Sequence, residues 1–220
     1  MPKPSAKARA RKIKLILFDV DGVLTDGKIW IFPAPLDGKQ SVLEKSASAS
    51  SVQMTGASQS DTPRATHGEA SYGPYTLVEA KGFNAHDGAG ISLARLGGIK
   101  TGLITKRTSE TVALRARDLK MEHVHQGIHD KAGALRQIIE KEGITAAEAA
   151  FVGDDVIDLP VMRKCGLAIA VKNARPEVKA EAHYVTPHAG GDGAARDAIE
   201  FILKAQGKWK QVVAHYTKER

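Results

Sequence analysis

Two aspartates stand two residues apart at the end of an apolar run, in Lys14-Leu15-Ile16-Leu17-Phe18-Asp19-Val20-Asp21-Gly22. Three more, Asp154, Asp155 and Asp158, follow a second apolar run that ends at Gly153. Between them in the chain, Thr105 closes a third apolar run, and Lys131 follows the short stretch His123-Val124-His125-Gln126 after a loop. Carboxylates gathered at one place hold a hard cation through oxygen, and Mg²⁺ is the expected one. A cation, a lysine and a hydroxyl together suit phosphate chemistry. The metal and Lys131 would neutralise phosphoryl oxygens, and Thr105 would hydrogen-bond one of them. An aspartate can act as the nucleophile by forming an aspartyl-phosphate. Taken singly, each residue has a plainer reading: a helix cap for an aspartate at a strand end, a solvated helix residue for Lys131. A calcium loop starting at Asp19 is excluded, because its fifth position is Val23 and its twelfth is Trp30.

Residues so far apart in sequence converge only if the strands carrying them end on one rim. The run before Asp19 has no polar face, which predicts a buried parallel strand over residues 13–20. Ligands of an open α/β sheet bind just beyond the carboxyl ends of such strands. Further strands are predicted at 99–105, 123–126, 148–152, 167–171 and 183–186. Helices are predicted from Asp87 as cap to residue 96, from Thr108 or Ser109 to 118, from Asp130 to 142, in a short stretch to 164, and over 193–205. This alternation predicts an α/β fold with a doubly wound, mostly parallel, Rossmann-like sheet. Residues 28–32 and 75–80 read as the two strands of a β-hairpin after the first strand. Pro33 to Pro74 between them is small and polar, with few apolar anchors, and reads as a disordered insertion. The domain is expected over residues 13–207, with a basic disordered tail at 1–12 and a C-terminal tail at 208–220.

The net charge of +7 over 220 residues is unevenly spread. Lys3, Lys7, Arg9, Arg11, Lys12 and Lys14 supply six positive charges within the first fourteen residues, and the remainder is almost balanced. No basic face is evident along the folded part, so nucleic acid is not the expected partner. The single cysteine, Cys165, permits no internal disulfide and reads as a buried structural thiol. No apolar run approaches the ~18 residues of a membrane span, and no apolar h-region follows the basic start. A soluble, cytoplasmic protein without a membrane partner is expected.

The order of these motifs resembles the haloacid dehalogenase superfamily of phosphotransferases. The matching positions are Asp19-Val20-Asp21-Gly22-Val23-Leu24-Thr25, then Thr105, then Lys131, then Gly153-Asp154-Asp155-Val156-Ile157-Asp158. The resemblance implies that Asp19 is the nucleophile and Asp21 the general acid and base. It implies that Thr105 and Lys131 steady the phosphoryl group, and that Mg²⁺ is held by Asp19, the Asp21 carbonyl and Asp154, with Asp155 and Asp158 in support. Substrate contacts are expected from Asp21, Thr105, Lys106, Arg107 and Lys131.

A narrower resemblance is to the 3-deoxy-D-manno-octulosonate 8-phosphate phosphatases, a family acting in lipopolysaccharide core synthesis. It rests on Thr25-Asp26-Gly27, Phe83-Asn84-Ala85-His86-Asp87-Gly88-Ala89-Gly90-Ile91, Gly127-Ile128-His129-Asp130-Lys131, Asp158-Leu159-Pro160-Val161-Met162 and Gly190-Gly191-Asp192-Gly193-Ala194-Ala195-Arg196. It implies a phosphorylated sugar acid as substrate, no separate cap domain, and a homotetramer whose hairpins form a central barrel. A phosphatase of a related nine-carbon keto-sugar acid 9-phosphate and a non-catalytic binding module of the same fold are the alternatives. Two features depart from the family: Lys106 replaces the usual glycine of Thr-Gly-Arg, and the insertion replaces a short hairpin tip.

Overall fold

A computed structural model describes residues 4–35 and 75–217. Six strands form the main sheet: β1 (Leu15–Phe18), β4 (Lys100–Ile104), β5 (His123–His125), β6 (Ala149–Gly153), β7 (Leu167–Ala170) and β8 (Tyr184–Val185). Their order is β5-β4-β1-β6-β7-β8, and every neighbouring pair is parallel. The α/β, doubly wound expectation is met. All four residues of β1 are buried, as are all five of β6 and all four of β7, which is what apolar cover on both faces requires.

The helices between the strands are α2 (Ala85–Leu96), α3 (Glu110–Asp118), α4 (Lys131–Glu142), α5 (Leu159–Met162) and α6 (Pro176–Glu181), with α7 (Ala194–Ala205) after the last strand. From β1 the chain steps outward to β4 and β5, then returns to β6 on the other side of β1. Right-handed crossovers put α2 and α3 on one face and α4, α5 and α6 on the other. The direction of winding reverses between β1 and β6, so the crevice beyond their carboxyl ends is the natural ligand site. Phe18 pairs in register with Val152 and with Leu103, which brings Asp19, Asp154 and Thr105 to one rim.

Several caps behave as their spacing predicts. The Ser109 hydroxyl accepts from the Val112 N–H, and the Asp130 carboxylate from the Gly133 N–H. Asp87 does not cap its own helix. Asn84 does, accepting from the His86 N–H at 2.7 Å, and Asp87 is buried one turn further in. Its carboxylate accepts from the N–H groups of Gly193 and Arg196 and so caps α7.

Both predicted tails contain helices. Residues 6–10 form α1 (Ala6–Ala10), capped by Ser5. Its Ala-rich stretch favours helix, and Ala10 and Ile13 give it an apolar anchor in the core. Gln206 Nε2 donates to the carbonyl of Ile13 at 2.7 Å, and Arg9 Nη1 to that of Gly166 at 2.8 Å. At the other end, α8 (Trp209–Thr217) packs on α7. Val212 is buried and Trp209 lies under the Arg196 and Lys204 side chains, a period of three that places both residues on one helix face.

The described residues 31–35 and 75–79 belong to a second unit of the chain. Two strands, β2 (Trp30–Pro35) and β3 (Tyr75–Ala80), pair there in a two-stranded sheet. The insertion expected at 33–74 begins within β2, and from residue 36 onward it lies outside the described residues. Cys165 is buried as expected, and burial pushes its thiol up to about 12, far from thiolate reactivity. Among the described residues no helix is long and apolar enough to cross a membrane.

Candidate active site

The loop after β1 turns sharply. The carbonyl of Val20 accepts from the N–H groups of Leu24 and Thr25, at 2.9 and 3.0 Å, and the buried Thr25 hydroxyl adds a contact at 3.3 Å. Gly22 sits at φ +87°, and a Cβ there would lie 2.2 Å from Asp154 Oδ2. A second loop closes over the first. Gly191 donates to the carbonyl of Val23 at 3.0 Å, and a Cβ at Gly190 would lie 1.7 Å from the carbonyl oxygen of Gly22. Glycine is required at Gly22 and Gly190 because backbone and carboxylate occupy the space of a side chain.

Asp19, Asp21, Thr105, Lys106, Arg107, Asp154, Asp155 and Ile157 line one cleft of about 270 Å³ at this rim. The structure therefore gathers residues spread over 139 positions of sequence into one place. Lys131 is not among the lining residues. It lies beneath, 3% exposed, with Nζ 2.9 Å from Asp19 Oδ2 and 2.6 Å from Asp158 Oδ1. Its position is set by Asp130, which caps α4 and places Lys131 at the first helical residue. In this structure its ammonium lies between the two carboxylates.

Asp158 is fully buried and committed on both oxygens. Oδ1 accepts from Lys131, and Oδ2 accepts from the Asp154 N–H at 3.1 Å. Asp155 accepts from the Val156 N–H at 2.5 Å and starts the turn that carries Asp158 inward. Both act on the site by shaping the loop after β6. Asp154 differs: its Oδ1 is buried without a hydrogen-bond partner. Such an orphaned carboxylate oxygen is costly unless a ligand completes it.

The electrostatics agree with an incomplete charge balance. Burial, then the carboxylates of Asp158, Asp19 and Asp155, raise Asp154 from 3.8 to about 7, against the pull of Lys131. Burial and Asp158 raise Asp19 to about 6, again opposed by Lys131. Burial pulls the Lys131 ammonium down, but Asp19 and Asp158 outweigh it and its pKa ends above the usual value. Oxygen atoms of Asp19, Asp154 and Asp158 all lie within 4.8 Å of one another. An all-oxygen donor set with one orphaned member fits a hard divalent cation.

Asp21 points to other partners. Lys81 Nζ lies 2.5 Å from its Oδ1 and Arg107 Nε 3.6 Å from its Oδ2. Lys81 is the site residue that sequence reasoning passed over. It stands directly after the last residue of β3, and its only sequence signal is a cation at the end of a short strand. Lys106 lines the cleft with no backbone strain, since Lys120 is the one non-glycine at positive φ among the described residues. The usual glycine is therefore not needed there for its conformation.

A parallel sheet with paired aspartates after its first strand, a threonine, a buried lysine and an acidic loop on successive strands is the signature of a haloacid dehalogenase-like hydrolase. The model of that family matches residues 104–197. Over 205 residues the chain is 35% identical to the 3-deoxy-D-manno-octulosonate 8-phosphate phosphatase of Salmonella typhimurium, covering 93% of this chain and 87% of that one. The crystal structure of the phosphatase of the same name from Moraxella catarrhalis, in complex with magnesium, phosphate and KDO, superposes with a TM-score of 0.73 at 30% identity, covering 96% and 97% of the two chains. The cobalt-bound enzyme of Haemophilus influenzae superposes with a TM-score of 0.68 at 27% identity, over 94% of this chain and 99% of that one. The chain belongs to the 3-deoxy-D-manno-octulosonate 8-phosphate phosphatase family of the haloacid dehalogenase-like hydrolases.

Proposed function

We propose that the protein is a Mg²⁺-dependent phosphatase that hydrolyses 3-deoxy-D-manno-octulosonate 8-phosphate to the free sugar acid and phosphate. The observation that carries this reading is the buried Asp19–Lys131–Asp158 chain beside the orphaned Asp154, beneath a cleft large enough for a phosphoryl group. Asp19, Asp154 and the main-chain carbonyl of Asp21 are the proposed metal ligands. Bound there, Mg²⁺ supplies positive charge to the phosphoryl oxygens and to the crowded carboxylates.

Lys131 fixes the Asp19 carboxylate by Oδ2, so that the nucleophile meets phosphorus in one orientation. Asp19 attacks and the ester P–O bond breaks, leaving an aspartyl-phosphate. Asp21 gives its proton to the departing sugar oxygen, then takes one from water as that water attacks phosphorus and releases Asp19. In this reading Thr105 hydrogen-bonds a phosphoryl oxygen, and Lys106 and Arg107 receive the anionic remainder of the substrate; all three line the cleft.

The deciding experiment is a phosphate-release screen over sugar acid phosphates with and without Mg²⁺. The eight-carbon 8-phosphate should be the best substrate, and Asp19→Asn should abolish its turnover. Equal or faster turnover of the nine-carbon 9-phosphate would reject the substrate assignment, and metal-independent activity would reject the mechanism.

The assembly is proposed to be a homotetramer, in the cytoplasm. Ile31, Phe32, Leu77 and Val78 in the hairpin unit are between 45% and 66% exposed, more apolar surface than a short two-stranded sheet keeps in water. Sedimentation analysis should return a tetramer mass, and Phe32→Glu should lower it.

A further inference from the structure

The two oxygens of Asp21 have unlike surroundings. Oδ1 meets the ammonium of Lys81, whose side chain has no exposure to solvent. Oδ2 faces Arg107, which is half-exposed and lines the cleft with Asp19 and Thr105. The terminal torsion of an aspartate is broad, so a carboxylate at a sheet rim does not hold its own plane. A buried ammonium holds it, because that charge cannot lose its counter-ion cheaply. Lys81 reaches Asp21 from the segment after β3, sixty residues along the chain, so no local turn supplies the same restraint.

We infer that Lys81 is a positioning residue for proton transfer, pinning Asp21 by Oδ1 so that Oδ2 is presented to the ester oxygen of the substrate. The inference rests on the phosphatase reading above, in which Asp21 handles the proton. As the Asp19–phosphorus bond forms, the ester bond breaks and its electron pair goes to the leaving oxygen, which takes the proton from Oδ2. In the second step Oδ2 recovers a proton from the attacking water, and the Asp19–phosphorus bond breaks. Lys81 touches no reacting atom; it sets where the proton is offered.

A purely structural lysine and a positioning lysine differ in their leaving-group dependence. An alkoxide leaves poorly without a proton, whereas p-nitrophenolate leaves without one. The test compares kcat/KM for the sugar acid phosphate and for p-nitrophenyl phosphate in wild type, Lys81→Met and Lys81→Arg, with Mg²⁺ present. Because kcat/KM covers only the steps through release of the alcohol, slow hydrolysis of the phosphoenzyme does not blur the comparison. For Lys81→Met, kcat/KM should fall roughly 100-fold on the alkyl ester and less than about threefold on the aryl ester. Lys81→Arg, which keeps charge and donor, should recover most of the loss. An equal fall on both esters, or no fall on either, would overturn the role. If Lys81→Met does not fold, Lys81→Gln, which keeps a donor without the charge, is put through the same comparison with the same criteria. A wild-type enzyme that releases phosphate from neither ester would overturn the phosphatase reading itself, and the role of Lys81 with it.

Discussion

Gly22 makes room for Asp154: a Cβ on Gly22 would stand 2.2 Å from Asp154 Oδ2 and 2.7 Å from its Cγ. The loop after β1 and the loop after β6 are thus packed backbone against carboxylate. Gly22→Ala must displace Asp154 and also hold alanine at φ +87°, a left-handed conformation costing about 1–2 kcal/mol. Titration calorimetry with Mg²⁺ should show affinity weakened by at least roughly tenfold, a second effect of moving one ligand. The melting temperature should fall as well. Unchanged affinity would mean that Asp154 does not hold the metal.

Among the described residues, Lys131 is the one cation that stands against both Asp19 and Asp158 at hydrogen-bond distance. Removing it leaves two buried carboxylates with their charge uncompensated, and breaking a buried pair from one side costs about 3–5 kcal/mol. Lys131→Met should therefore unfold at lower denaturant than wild type. The deficit should shrink as pH falls, because a protonated Asp19 needs no partner. A deficit independent of pH would show that lost packing, not lost charge, is responsible.

The raised carboxylates predict how metal binding responds to pH. Asp154 at about 7 and Asp19 at about 6 hold protons more tightly in the metal-free folded chain than when unfolded, where both titrate near 3.8. Their contribution therefore favours the fold at low pH and is lost as pH rises from near 4 through about 7. A cation must displace those same protons, so Mg²⁺ affinity should rise across that window and binding should release protons. Calorimetry in buffers of different ionisation enthalpy measures that release directly. The rise in melting temperature on adding Mg²⁺ should likewise be larger at about pH 8 than at about pH 5.5. Affinity flat over this range would separate Asp19 and Asp154 from the metal.

How much of this was legible in the sequence depended on distance along the chain. Asp19, Asp21, Thr105 and Asp154 each follow an apolar run, and the rule that strand ends share a rim brings them together without knowledge of contacts. Ser109 and Asp130 were readable as caps because their acceptors meet an N–H three residues on. Lys81 was not, since its partner is sixty residues away and no local pattern marks it. Neither was the work of Lys131, which needed the depth of α4 in the fold to show that it lies under the cleft. The helix at residues 6–10 was hidden by charge: Lys7 and Arg9 dominate the segment, while one small residue, Ala10, makes its burial.

Asp87 carries the same lesson and a last prediction. Its spacing marks it as a cap for α2, yet its carboxylate accepts from Gly193 and Arg196 at the start of α7, more than a hundred residues on. That carboxylate ties α2 to the loop whose Gly190 and Gly191 lie against the turn after Asp21. Asp87→Ala should cost about 1–2 kcal/mol, the value of a lost cap. The loss should appear locally, as faster amide hydrogen exchange at residues 193–198, while the far end of α7 keeps its protection. Because the freed loop buttresses the Gly22 turn, Mg²⁺ affinity should fall in the same variant although Asp87 is not among the residues that line the cleft. Asp87→Asn keeps one acceptor oxygen and should recover part of both losses. Exchange raised evenly along α7, with metal affinity intact, would show instead that Asp87 serves only to anchor the helix.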